Sequence, residues 1–177
     1  FGDLLVSEGV ITKIRPKSFA SYQKNPTKVG KDSYNVLGRV VTIPQVNFHD
    51  HIYSRLAKGL PFKGKLDSFQ NVLKNLWWKL DRALDLEMVK ASAQAAAIDS
   101  IQNGVTYIFD HHSSQSKIEN SLKTIKEILE VHKLRGVLCF ETTDRNCSDE
   151  AIAGLAENVL FKNSDTKDFR AMLGLHA

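Results

Sequence analysis

Val40-Val-Thr-Ile-Pro-Gln-Val-Asn-Phe-His-Asp-His-Ile-Tyr53 is an apolar run that ends in two histidines one residue apart. Residues i and i+2 of a strand project to the same face, so His49 and His51 can converge on one metal ion while Asp50 points away. That is half of a metal site. Two surface histidines near a strand end would give the same pattern, and only the rest of the chain separates the readings. A nucleotide-binding sheet follows its first strand with Gly-x-Gly-x-x-Gly or a Gly-Lys-Ser turn, and this sequence has neither. Histidines in that place favour a metal-bearing barrel.

Downstream, Tyr53 to Lys65 carries Gly59, Pro61 and Gly64 and reads as a loop of the kind that builds active sites in parallel α/β folds. From Asp67 the apolar residues Phe69, Val72, Leu73, Leu76, Trp77, Leu80 and Leu84 recur at helical spacing, with Asp67 or Ser68 as cap. Trp77 and Trp78 are adjacent and cannot share one helical face; one is expected in the core. Asp85 caps a second helix, Leu86 to Gln102, stopped by Asn103-Gly104. The strand Val105 to Phe109 follows and ends in Asp110-His-His-Ser-Ser114. Ser116 and Glu119 fit a capping box opening a helix over Lys117 to Lys133. A strand over Val137 to Phe140 ends in Glu141-Thr-Thr-Asp-Arg145, Ser148 starts another helix, and Phe169 to Leu175 is the last strand, ending at His176. Strand starts near Val105, Val137 and Ala171 therefore recur every 32 to 34 residues with a helix between, the period of right-handed βαβ units. Polar residues gather where each strand ends. A doubly wound sheet and a half barrel both satisfy the period.

Upstream, Leu4 to Val6 and Val10 to Ile14 flank Ser7-Glu8-Gly9 as a hairpin. Lys17 to Ser33 has no apolar period and reads as a loop or insertion, and Tyr34 to Val41 as a strand with a turn at Gly38-Arg39.

At 177 residues the chain suits one ordinary domain, and 42% hydrophobic with 25% charged residues reads as globular. No apolar run reaches the length of a membrane span, and no secretory leader opens the chain, so no membrane partner and a cytoplasmic location are expected. Cys139 and Cys147 lack metal-cluster or disulfide spacing. The net charge of +4 is uneven: residues 1 to 66 hold 11 Lys and Arg against 4 acids, and residues 67 to 177 hold 13 against 16. The basic segments lack interleaved aromatics, so no nucleic acid is expected as a partner.

Together with the small β region at the N-terminus, three stretches resemble the amidohydrolase superfamily, and within it the cytosine-deaminase-like and chlorohydrolase-like members. They are Ile43-Pro44 leading to Asn47-Phe-His-Asp-His-Ile-Tyr-Ser54, Gly104-Val-Thr-Tyr-Ile-Phe-Asp110, and Asn75-Leu-Trp-Trp-Lys-Leu-Asp-Arg-Ala-Leu-Asp85. With Asp110 to Ser114 and Gly174-Leu-His-Ala177, the last is similar to SsnA-type aminohydrolases. The resemblance implies the N-terminal half of a (β/α)8 TIM-type barrel over residues 43–177, preceded by a β-rich segment, 1–42, of a composite β-sandwich. It implies a hydrolase of C–N or C–halogen bonds, a deaminase or aminohydrolase of a small heterocyclic molecule, working through metal-activated water and forming a homo-oligomer at full length. His49 and His51 would be the first two ligands of a divalent metal, zinc, with iron as the alternative. Such an ion lowers the pKa of its water to about 7. His176 and His112 would contact substrate. The acid/base glutamate and the metal-binding aspartate are expected beyond Ala177, so the chain alone is expected to be inactive and to bind zinc weakly. The competing reading is a non-catalytic α/β ligand-binding or interaction module.

Overall fold

Strand β4 (Val105–His112) lies between β3 (Gln45–Asp50) and β5 (Arg135–Thr142), parallel to both. The computed structural model describes residues 1–24 and 30–175, which divide into two units, Phe1–Ile43 and Pro44–Ala177. In the larger unit the sheet runs β3-β4-β5-β6, with β6 (Phe169–Ala171) and a short β7 (Gly174–Leu175) both parallel to β5. This is a mixed α/β fold on a parallel sheet.

The helices fall where the apolar period puts them. Between β3 and β4 lies α4 (Leu86–Gln102), capped by Asp85, whose Oδ1 accepts the Met88 N–H at 2.8 Å, and stopped at Gly104 with φ of 72°. Its Val89, Ala93, Ala96 and Ala97 are fully buried, the alanines bringing it close to its neighbours. Next, α5 (Ser121–Val131) contributes Leu122, Ile125 and Leu129, and α6 (Ser148–Lys162) contributes Phe161. The sheet adds Ile108, Leu138 and Phe140. Fully burying each large side chain is worth about 1.5–3 kcal/mol, so this one cluster fixes helices on strands.

Before α4 the expected loop after His51 contains a 3-10 turn, Ile52–Ala57, whose Ile52 and Tyr53 enter the core. The helix expected from Asp67 is composite. It starts as α2 (Phe69–Val72) with Ser68 as cap, widens to a π segment, Leu73–Trp77, and ends as α3 (Trp78–Asp81).

Three expectations are corrected. The capping box at Ser116 and Glu119 does not form: Ser116 Oγ donates instead to the Arg82 carbonyl, and α5 begins only after Asn120, at φ of 65°. The last strand is split: the Met172 N–H still donates to the Leu138 carbonyl at 3.2 Å, but pairing with β5 lapses at Leu173 and resumes at Gly174. There Asn158 of α6 takes the place of a strand, accepting the Phe140 N–H at 2.8 Å and donating to the Phe140 carbonyl at 2.9 Å. Tyr34 to Val41 forms no strand. Asn35 Oδ1 accepts the Leu37 N–H, and the chain turns through Leu37 and Gly38, both at positive φ.

In the smaller unit, β1 (Gly2–Ser7) and β2 (Val10–Pro16) form the expected hairpin through Glu8 and Gly9, at φ of 51° and 78°, the type I′ geometry that matches strand twist. Part of the expected loop is helical: α1 (Phe19–Lys24) starts at Ser18, whose Oγ accepts the Ser21 N–H, and sets Phe19 against Phe1 at 4.9 Å. The substrate residue expected at His176 lies outside the described residues. No helix among the described residues is long and apolar enough to cross a membrane.

Candidate metal half-site and adjoining cleft

His49 is the penultimate residue of β3 and His51 follows the strand's last residue, and their Nε2 atoms lie 3.0 Å apart. Two imidazoles sharing one tetrahedral zinc at about 2.0–2.1 Å hold their nitrogens roughly 3.3 Å apart, so the pair fits the first half of such a site. His51 Nδ1 lies 2.9 Å from the His111 carbonyl oxygen. A carbonyl only accepts, so a neutral His51 carries its proton on Nδ1 and turns a lone pair outward at Nε2. Among the described residues, no three or more His, Cys, Asp and Glu are grouped to hold a metal.

The turn that carries these histidines is braced by buried acids. Asp50 Oδ1 accepts the His51 N–H at 2.8 Å, and its Oδ2 accepts from Asn47 Nδ2 at 2.7 Å and Arg55 Nη2 at 2.5 Å. Asp110, opposite Asp50 across β3 and β4, accepts the Ile52 N–H at 2.7 Å. Burial drives the Asp110 carboxyl well above its ordinary range, the nearby Asp50 charge adding to the effect. These bonds tie the end of β3 and the 3-10 turn to β4, across a ladder whose register shifts between Asn47 and Asp50.

Beside His51 opens a cleft of about 170 Å³. Tyr53, Trp77 and Trp78 wall it, and His111, Asp81 and Glu141 bring polar atoms to it. Both tryptophans line the cleft although neighbours on an α-helix diverge. The π segment is the reason: the Trp78 N–H donates to the Leu73 carbonyl five residues back, a wider turn that alters the facing of the residues after it.

At the inner end, Arg145 bridges Asp81 of α3 and Glu141 of β5 with one guanidinium, which also lies 5.5 Å over the Trp78 ring. Burial pushes Glu141 upward, but hydrogen bonds from Arg145, Ser113 and Gln115 outweigh it and hold the carboxyl below its ordinary range. For Asp81 burial wins over Arg145, and its pKa rises to about 6.

His49 and His51 are thus brought together. His111 lines the cleft, whereas His112 does not. The latter is fully buried between the Tyr53 and Phe140 rings, with Nε2 2.9 Å from Ser114 Oγ, and burial lowers its pKa to about 3. Strand alternation requires the two to diverge, and it is His111 that lines the cleft. His112, expected to contact substrate, does not line this cleft. Asp81 and Ser113 were not singled out by the sequence; Asp81 reads there as an ordinary polar position of an amphipathic helix.

No family model matches the chain. Two solved structures share its fold. Guanine deaminase from C. acetobutylicum, with guanine bound in its active site, is similar with a TM-score of 0.73 and 15% identity, over 99% of this chain and 41% of that one. A mutant atrazine chlorohydrolase from Arthrobacter aurescens TC1, complexed with zinc and atraton, is similar with a TM-score of 0.57 and 14% identity, over 75% of this chain and 34% of that one. The chain therefore spans about two fifths of the deaminase's length and has the fold of that part.

Proposed function

We propose that this chain is part of a metal-dependent hydrolase of the amidohydrolase type, a deaminase or chlorohydrolase of a small heterocyclic molecule, and that it contributes the first half of the barrel. The observation that carries this reading is the 3.0 Å approach of His49 and His51 Nε2 at the end of β3, with His51 oriented by the His111 carbonyl. The motif resemblance and the fold shared with two hydrolases support it.

In this reading His49 and His51 are two of the ligands of a divalent ion, zinc. Bound zinc supplies Lewis acidity that makes water nucleophilic at neutral pH. The chain's own residues bind and orient. The His111 carbonyl fixes the His51 tautomer, and Asp50 and Asp110 hold the backbone on which both imidazoles ride. Tyr53 and Trp77 present aromatic surface against which a planar substrate excludes water. His111 is placed to contact that substrate. His176 keeps its assignment to substrate on the motif resemblance alone.

Zinc titration of the metal-free chain tests the proposal. One equivalent is expected to bind weakly, because a catalytic zinc takes three or more protein ligands and two are contributed here. His49→Ala or His51→Ala is expected to abolish binding, and His132→Ala to leave it intact. Unchanged stoichiometry in the His49→Ala/His51→Ala double variant would overturn the proposal in favour of a non-catalytic module.

A further inference from the structure

The inner end of the cleft has a chemistry that the histidine pair does not use. Two carboxylates, Asp81 and Glu141, face one guanidinium, so the group has an excess of one negative charge when both acids are ionised. Both Glu141 oxygens are engaged, Oε1 by Arg145 and Oε2 by Ser113 at 2.7 Å and Gln115 at 3.2 Å. Asp81 is different. Its Oδ2 takes Arg145 and, at 3.4 Å, Ser113, whereas its Oδ1 has no hydrogen-bond partner among the described residues. The residue is only 2% exposed.

A buried acceptor without a donor costs about 1–3 kcal/mol, and more when charged, so this position favours whatever brings it an N–H. The walls narrow the choice. Trp77, Trp78 and Tyr53 offer π surface, which stacks on flat rings and attracts cations. The space suits one ring, since a cavity of about 150 Å³ admits benzene.

We propose that Asp81 is a specificity-determining acceptor, and that the cleft takes a single planar ring bearing an amidinium-like edge, with an N–H of that edge donated to Asp81 Oδ1 and the ring against Trp77. A cationic edge offsets the excess negative charge, and its N–H bond to a carboxylate is charge-assisted. A carboxylate edge meets repulsion, and a carboxamide edge loses the charge. Calling this ligand the substrate rests on the hydrolase reading; its binding does not.

Trp77 and Trp78 are the chain's only two tryptophans, so intrinsic fluorescence reports occupancy. The test titrates the metal-free chain, in chelator, with benzamidinium, benzamide and benzoate. Benzamidinium is expected to bind about tenfold tighter than benzamide, the ratio separating charged from neutral hydrogen bonds, with benzoate weakest. Asp81→Asn is expected to bring benzamidinium and benzamide within about twofold of each other, while the surface variant Asp149→Asn keeps the wild-type order. Equal binding of benzamidinium and benzamide by the wild type overturns the proposal, and that arm decides alone if Asp81→Asn does not fold. Retention of the full preference in folded Asp81→Asn overturns it too. Loss of the zinc result with this selectivity intact removes the hydrolase reading alone, and the opposite pattern removes this site alone.

Discussion

Glu157 of α6 accepts the backbone N–H of Leu122 at 3.0 Å and that of Asn120 at 3.1 Å, closing the N-terminus of a neighbouring helix for which Asn120 supplies no side-chain cap. The carboxylate also meets the positive end of the α5 dipole. Glu157→Gln keeps one acceptor oxygen and is expected to cost about 1 kcal/mol, whereas Glu157→Ala strands both donors and is expected to cost about 2–3 kcal/mol. Urea denaturation of the two variants checks the order; an equal cost would show that the bonds to α5 carry no weight.

His112 makes the fold acid-labile. Burial first, then the neighbouring His111, lowers its pKa to about 3, so the native state refuses a proton that the unfolded chain takes up near 6.5. Its contribution is fully present above pH 6.5 and is lost as pH falls from there toward 3, by about 1.4 kcal/mol per unit. Between pH 7 and pH 5 the wild type is expected to lose about 2 kcal/mol more than His112→Gln in paired denaturation curves. Parallel pH profiles of the two proteins would sink this.

Gly136 of β5 pairs with Ile108 of β4. A Cβ there would lie 2.6 Å from the Ile108 carbonyl oxygen, a backbone atom that cannot move without opening the sheet. Gly136→Ala is expected to cost about 2–3 kcal/mol. Gly30→Ala, whose nearest contact would be Ser33 Oγ at 3.6 Å, is expected to stay within about 0.5 kcal/mol of the wild type in the same melts.

Asn158 satisfies both a donor and an acceptor of Phe140, and its amide nitrogen also donates to the Gly154 carbonyl at 2.9 Å. Asn158→Asp has the same shape but no donor, and it sets a carboxylate against two carbonyls. It is expected to destabilise by about 2–3 kcal/mol or more at pH 7, with part of that recovered on acidification as the carboxyl gains a proton. Thermal melts at pH 7 and pH 5 that show no such recovery would discount the donor.

What the sequence revealed was what neighbouring residues decide. Asp85 and the Asn103-Gly104 stop bracket α4 because cap and stop act on their own helix. The approach of His49 to His51 was legible because residues two apart in extended chain share a face. The start of α5 was hidden, since the hydroxyl of Ser116 is claimed by Arg82, 34 positions earlier, and the cap comes from α6. Alternation says that His111 and His112 diverge but not which meets the cleft; that depends on how β4 sits on the sheet. Asp81 acquires its meaning from Arg145, 64 positions away, and no local pattern announces that pairing.

The π segment at Leu73–Trp77 has a consequence in chain length. A wide turn accommodates a surplus residue inside one helix, so the facing of Trp78 and Asp81 depends on how many residues precede them as well as on what those residues are. Deleting the exposed Lys74 would let the α ladder close and would carry both side chains around the helix axis, leaving every core residue unchanged in identity. The wall of the cleft is therefore tunable by counting: one residue more or less in a single turn rewrites what the cleft presents.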